Sequence, residues 1–184
     1  MKKINGSTFA QGLISKGPIQ ENQKELMLYG QFVGDWIADT IEYLEDGNIK
    51  YSKWDIRFDW VLEGRAIQDL WISPLRDKDE VNLDKEGNRY STTLRIYDPN
   101  ISGWHIIWVN PPSGIIVHQT GRLIGNEIVQ IGEVDKFGHQ TRWVYRDITH
   151  NSFRWCNEKT YDNGNSWKLL QEMNAKRKLD SHNL

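Results

Sequence analysis

Three sets of side chains in this chain have types and spacings that could do chemistry. The first is an acid–base pair. If a tight turn at Gly125-Asn126 joins two strands, His118 falls opposite Glu133. A carboxylate beside an imidazole orients the ring and raises its pKa, as a general base requires. The same pair is equally at home as an exposed cross-strand contact. The second set is electrostatic. A turn at Glu63-Gly64 pairs Leu62 with Arg65, Trp60 with Ile67, Phe58 with Asp69 and Ile56 with Trp71, which carries Asp69 onto an apolar face where an unpaired carboxylate is costly. Arg95 on the following strand could neutralise it or receive a ligand carboxylate; the alternative is that one or both face solvent or form a structural pair. The third set is aromatic: Trp54, Phe58, Trp60, Trp71, Trp108, Trp143, Tyr145 and Trp155. Taken singly, each ring reads as core; as an ensemble they would make flat walls for a planar or greasy ligand.

Other chemistries find no footing in the sequence. No paired histidine spacing, cysteine cluster or acidic run supports a metal site, and no metal or cofactor is expected. Cys156 is the single cysteine, which excludes an internal disulfide, and without a Cys–His constellation it reads as a quiet strand residue. His105, His139 and His150 read as isolated or turn histidines. Neither a Gly-x-Ser-x-Gly motif nor a phosphate loop is present. A formal net charge of -2, with no like-charge block beyond Lys176-Arg177-Lys178, provides no basic face for nucleic acid. No apolar run reaches membrane-spanning length, and Phe9-Ala10-Gln11-Gly12 stands where a signal peptide would place its apolar region. A cytoplasmic protein with no nucleic-acid or membrane partner is the expectation.

The elements that must position these residues follow from periodicity. Residues 1–19 read as a polar, glycine-containing arm open to flexibility, and 179–184 as a tail; the domain proper spans 20–178. Between Gln20 and Phe32 the apolar residues Leu26, Tyr29, Phe32 and Val33 recur at helical spacing, with Gly34 placed as a C-terminal cap. Beyond it, alternation takes over. Ten strands are predicted: Trp36–Leu44, Ile49–Leu62, Arg65–Ile72, Tyr90–Tyr97, Trp104–Asn110, Ile115–Ile124, Glu127–Val134, Gln140–Thr149, Phe153–Tyr161 and Trp167–Arg177. The second has the clearest pattern, with Trp54, Ile56, Phe58, Trp60 and Leu62 on one face and Asp55, Arg57, Asp59 and Glu63 opposite. The polar stretch Ser73–Arg89 reads as a mobile rim loop. At the last hairpin a bulge near Asn163 is predicted, because it matches Tyr161 with Trp167 and Trp155 with Met173. Nine tryptophans spread from Trp36 to Trp167 cannot all stay wet. An open sheet of short strands would expose edges, so the fold class is all-β: a closed antiparallel up-and-down barrel of about ten strands with a short N-terminal helix.

Gly34-Asp35-Trp36, after a short helix and opening the first strand, resembles the Gly-x-Trp element of the calycin superfamily, which includes the lipocalins and fatty-acid-binding proteins. The resemblance implies that Trp36 closes one barrel end and that a basic residue from the last strand, here Arg177, packs across its ring. Trp60-Val61-Leu62-Glu63-Gly64-Arg65, Thr93-Leu94-Arg95-Ile96-Tyr97-Asp98-Pro99 and Trp104-His105-Ile106-Ile107-Trp108-Val109-Asn110-Pro111 resemble a bacterial lipocalin-like family to which no reaction is assigned. Nitrobindin-like haem barrels extend the motif with repeating glycines and carry a C-terminal histidine ligand; here Ile37-Ala38-Asp39-Thr40 follows Trp36 and the last two strands hold no histidine, which argues against haem. The expected function is binding of a small hydrophobic or aromatic molecule inside the barrel, anchored by Asp69, Arg95 and Tyr145. The alternatives are an isomerase, cyclase or lyase using the buried acid or His118, and an oligomeric interaction protein with a filled core. Calycins often pair through outer sheet faces, so a homodimer is a further expectation.

Overall fold

The computed structural model describes residues 8–75 and 89–178, so that 1–7, 76–88 and 179–184, with most of the predicted rim loop and the tail, lie outside the described residues. Ten antiparallel strands close into one barrel: β1 (Gly34–Tyr43), β2 (Ile49–Val61), β3 (Ala66–Ser73), β4 (Arg89–Asp98), β5 (Gly103–Asn110), β6 (Ile115–Ile124), β7 (Glu127–Gly132), β8 (Gln140–Arg146), β9 (Ser152–Thr160) and β10 (Lys168–Arg177). Two helices precede them, α1 (Phe9–Leu13) and α2 (Gln23–Gly30). Each strand pairs with its sequence neighbours, and β1 pairs with β10, so each of the ten has a partner on both sides.

The β2–β3 register is the one the alternation demands, with Ile56 opposite Trp71, Phe58 opposite Asp69 and Trp60 opposite Ile67. Leu62, Glu63 and Gly64 all take positive φ and lie in the turn, so pairing stops at Val61 and Ala66. That turn is held from outside by the N-terminal segment. Ser15 N donates to Trp60 O at 2.8 Å, Leu62 N to Leu13 O at 3.1 Å, and Gly64 N to the Ser15 hydroxyl at 2.9 Å. Residues 8–19 are therefore laid along the hairpin. A Cβ at Gly64 would stand 2.2 Å from Gly17 O, which is why the chain crosses there over a glycine.

Gly34 does not cap the helix. It opens β1 at φ +123, and a Cβ there would stand 2.7 Å from the Arg177 guanidinium. Arg177 needs that space. Its Cζ lies 4.1 Å from the Trp36 ring centroid, and it donates to Val33 O at 2.7 Å, Gln31 O at 2.9 Å and His150 O at 2.8 Å. One side chain thus satisfies the carbonyls left over where α2 ends and joins that end to both terminal strands. Trp36 Nε1 donates to Phe32 O at 2.7 Å, completing the closure.

The last hairpin has a bulge, but at Leu170 and not near Asn163. Leu169 pairs with Glu158 and Gln171 with Asn157, and the register from there on sets Met173 against Trp155. Asp162 accounts for the difference. It accepts from Ser166 N at 2.9 Å and the Ser166 hydroxyl at 2.6 Å, which holds the loop together and defers the extra residue into the strand. The bulge swaps faces: Gln171 and Met173 turn inward, while Trp167 goes to the outer wall under Arg142, 4.1 Å from its ring centroid.

Replacing Arg177 by alanine should lower stability by about 2 kcal/mol, since it removes a ring contact and charge-assisted hydrogen bonds at a partly exposed site. Arg177→Lys should recover only part of this, because an ammonium cannot span three carbonyls. Urea midpoints with unchanged m-values check both.

Candidate functional site

The inward residues of the barrel divide into two halves along its axis. At the end closed by α2 the lumen is solid. Tyr29 meets Trp104 with ring centroids 4.8 Å apart, Trp36 meets Phe153 at 4.8 Å, and Phe32 lies 5.0 Å from Phe153 and 5.1 Å from Tyr145. Ile56, Ile67, Ile106 and Ile128 fill the gaps and are almost completely buried. Trp60 belongs to this end as the seat of α2: a Cβ on Gly30 would fall 2.4 Å from its ring.

Toward the other end the lumen stays open, as a cavity of about 270 Å³. Trp54, Trp71, Trp108, Trp143 and Trp155 line it, one each from β2, β3, β5, β8 and β9. Their rings touch in series, Trp108 to Trp143 at 5.7 Å, Trp143 to Trp155 at 5.7 Å, Trp155 to Trp71 at 5.6 Å and Trp71 to Trp54 at 6.3 Å. Val117 and Met173 add apolar surface, and Ser91, Thr93, Thr141, Asn157 and Gln171 add polar groups. Sequence parity contains the signal for most of these: Ser91 and Thr93 alternate with Arg95 along β4, and Asn157 with Trp155 along β9.

Between the solid and open halves lies a charged centre. Asp69 and Arg95 have side-chain exposures of 0% and 1%, and Arg95 Nη1 donates to Asp69 Oδ2 at 2.5 Å. The other oxygen, Asp69 Oδ1, accepts from Thr93 N at 2.7 Å. Arg95 Nη2 donates to the Tyr145 hydroxyl at 3.0 Å, which links β4 to β8 through the interior. Below, the guanidinium lies 5.1 Å from the Tyr29 centroid and 5.5 Å from that of Phe58. Burial alone would lower the pKa of Arg95, but the Asp69 carboxylate and the two phenols outweigh it and hold the group above its ordinary value. Burial pushes Tyr145 up against the opposing pull of Arg95, and takes Tyr29 up to about 12 in spite of Arg95 and the hydrogen bond from Gln130.

The structure thus brings Trp54, Trp71, Trp108, Trp143, Trp155, Arg95 and Tyr145 to one cavity, with Asp69 behind Arg95. Phe58 packs below it and Trp60 against the helix. His118 is elsewhere. The β6–β7 ladder ends at Gln119 and Gly132, so His118 and Glu133 lie one step beyond it, both exposed, along an outer groove with Ile96, His105 and Ile107. The even-numbered residues of β6 face outward, because the inward face is taken by Val117, Gln119 and Gly121. Among the described residues, no group of three or more His, Cys, Asp and Glu could hold a metal ion, and no helix is long and apolar enough to cross a membrane.

This closed ten-strand barrel, with Arg177 over Trp36 at its plugged end, has the calycin-like, lipocalin-type fold. Among solved structures it is similar to the S-type phycobiliprotein lyase CPES from Guillardia theta, with a TM-score of 0.55 and 11% identity over 83% of this chain and 92% of that one. No protein-family model and no curated protein matches the sequence.

Asp69→Asn should cost about 3–5 kcal/mol, because it strands a buried guanidinium. The double variant Asp69→Leu/Arg95→Met should regain most of that loss, as calorimetry or urea titration would register. A second outcome concerns alkaline pH. The folded state holds the Tyr29 proton more tightly than the unfolded chain, with a pKa of about 12 against 10.0. Its contribution to stability is therefore complete below pH 10 and is lost as pH rises from 10 through about 12. Phenolate absorbance at 295 nm should accordingly report fewer than the seven tyrosines until the barrel unfolds.

Proposed function

We propose that the protein binds a small apolar or aromatic molecule in the open half of its barrel. One observation carries this reading: a lumen that could have been filled with side chains is filled at one end only, and the remaining 270 Å³ is walled by five indoles. A barrel of ten strands is wider than the eight whose interior side chains just fill it, so a hollow is the natural consequence unless the sequence supplies bulk to remove it. Here bulk is supplied below Arg95 and withheld above. Trp54, Trp71, Trp108, Trp143 and Trp155 are the contact walls; Arg95 and Tyr145 are the polar floor, with Asp69 as counter-ion. The fold is shared with a phycobiliprotein lyase, but at this identity the reading rests on the cavity of this chain and not on the neighbour's activity.

Proton transfer on a hydrophobic substrate gains less support. Both oxygens of Asp69 are engaged, by Thr93 N and Arg95, and His118 lies on the outer wall. A filled-core interaction protein is disfavoured by the cavity itself. The cytoplasm belongs to the same reading: Cys156 is a buried free thiol whose pKa burial pushes up, suited to a reducing compartment.

Native mass spectrometry of the purified protein, followed by extraction, should reveal a co-purifying small molecule. Titration with a panel of lipophilic aromatic compounds should quench tryptophan emission saturably at one-to-one stoichiometry. Trp143→Ala should weaken the best of them by about tenfold or more through lost apolar contact. Absence of saturable quenching by every compound, with the chain folded, would sink the reading.

A further inference from the structure

We infer that the occupant of this cavity is a compact aromatic compound bearing a carbonyl or carboxylate oxygen, which it buries among the indoles. The inference rests on the ligand-binding reading above and narrows it. It comes from the polar atoms left over after the protein's own hydrogen bonds are made. Among the described residues, Trp71 Nε1, Trp155 Nε1 and Arg95 Nε are buried with no protein acceptor, and all three side chains line the cavity. All three atoms are donors only. Tyr145 adds another donor: its oxygen accepts from Arg95 Nη2 at 3.0 Å, which leaves the hydroxyl proton to be given elsewhere. Against these, Asn157 Oδ1 is the one fully buried acceptor of the described lining groups that has no partner, while the carboxylate of Glu42 and the amide of Gln171, also in the lining, belong to half-buried residues.

Buried donors without acceptors are costly, and native interiors satisfy nearly all of them. A hydrocarbon entering the cavity would leave that cost in place. An oxygen acceptor would remove part of it, because the indoles can turn about a broad χ2 well to meet it. The excess of donors also selects against a cation. The inner carboxylate, Asp69, is already committed to Arg95 and Thr93 N, so an ammonium at the floor would meet N–H groups and a guanidinium. The other carboxylate of the lining, Glu42, is only half-buried and stands away from those donors, six residues along β1 from Trp36 at the closed end. Size sets the remaining limit. At 270 Å³ the cavity lies just below the range of about 300–1,000 Å³ usual for drug-sized ligands, which suits about two or three fused rings and excludes extended chains.

A matched series on the unaltered chain tests this: naphthalene, 2-acetylnaphthalene, 2-naphthoate and 2-(aminomethyl)naphthalene, titrated by calorimetry. The ketone or the carboxylate should bind about tenfold or more tighter than naphthalene, and whichever does so identifies the acceptor. The ammonium should bind worst. In ¹⁵N–¹H spectra the indole N–H signals of Trp71 and Trp155, assigned through Trp71→Phe and Trp155→Phe, should shift with the acceptor compounds and not with naphthalene. The same two variants keep the aromatic wall and should erase the preference. Equal binding of naphthalene, tightest binding of the ammonium, or a preference that survives both variants overturns the inference while cavity binding stands. If none of the four saturates, the inference falls, and the quenching panel decides whether the broader reading falls with it.

Discussion

A guanidinium buried at the centre of the barrel sets the terms for everything around it. Arg95 cannot stay charged in that position without partners, and each partner comes from a different part of the fold. Asp69 on the neighbouring strand supplies the counter-charge, Tyr145 on β8 supplies an oxygen, and Tyr29 on α2 and Phe58 on β2 supply ring faces from below. The consequence is a division of the lumen. Beneath the guanidinium, rings and isoleucines pack to the closed end; above it, the walls carry indoles whose edges meet without filling the space. The floor of the cavity is therefore charged beneath walls where indoles alternate with hydroxyl and amide groups, and its position along the axis is fixed by a salt bridge and not by soft packing.

The barrel is held shut by a second cation, placed very differently. Arg177 works at the surface, where three backbone carbonyls and the Trp36 ring converge at the end of α2. Closure by β1 and β10 then brings the last strand under two demands at once. Its lower part must face Met173 and Ala175 inward, while its start must follow Trp167, the residue before it, which lies outward against Arg142. A single unbroken alternation cannot do both, and the bulge at Leu170 resolves the conflict by changing face partway along the strand.

A solved structure with 11% identity shares this architecture. What antiparallel barrels have in common is a pattern: period-two alternation along strands joined to their neighbours. Pattern of this kind survives almost complete replacement of side chains, whereas a binding site does not, since it depends on which residues sit at particular inward positions. For this chain those positions are occupied by indoles and donor groups, and any account of its ligand has to begin from them.

The alternation in β2 and the turn residues after each strand contain enough to specify the strands, the helix before them and the register that carries Asp69 inside, because these depend on local periodicity and on steric rules that act over a few residues. Closure followed from the edges that ten strands would otherwise expose and from the resemblance carried by Gly34-Asp35-Trp36. The resemblance of that junction to the calycin element likewise pointed to Arg177 as the cation over Trp36. Local reading fails where a residue answers to something distant. Gly34 looks like a helix cap until Arg177 claims the space beside it, and the bulge belongs near Asn163 until Asp162 gathers Ser166 and moves it. His118 and Trp60 carry the right chemistry for a lumen, yet one lies on the outer wall and the other under a helix. Periodicity tells which residues share a face; which face encloses a hollow, and how far along the axis that hollow begins, was decided only when opposite walls met around Arg95.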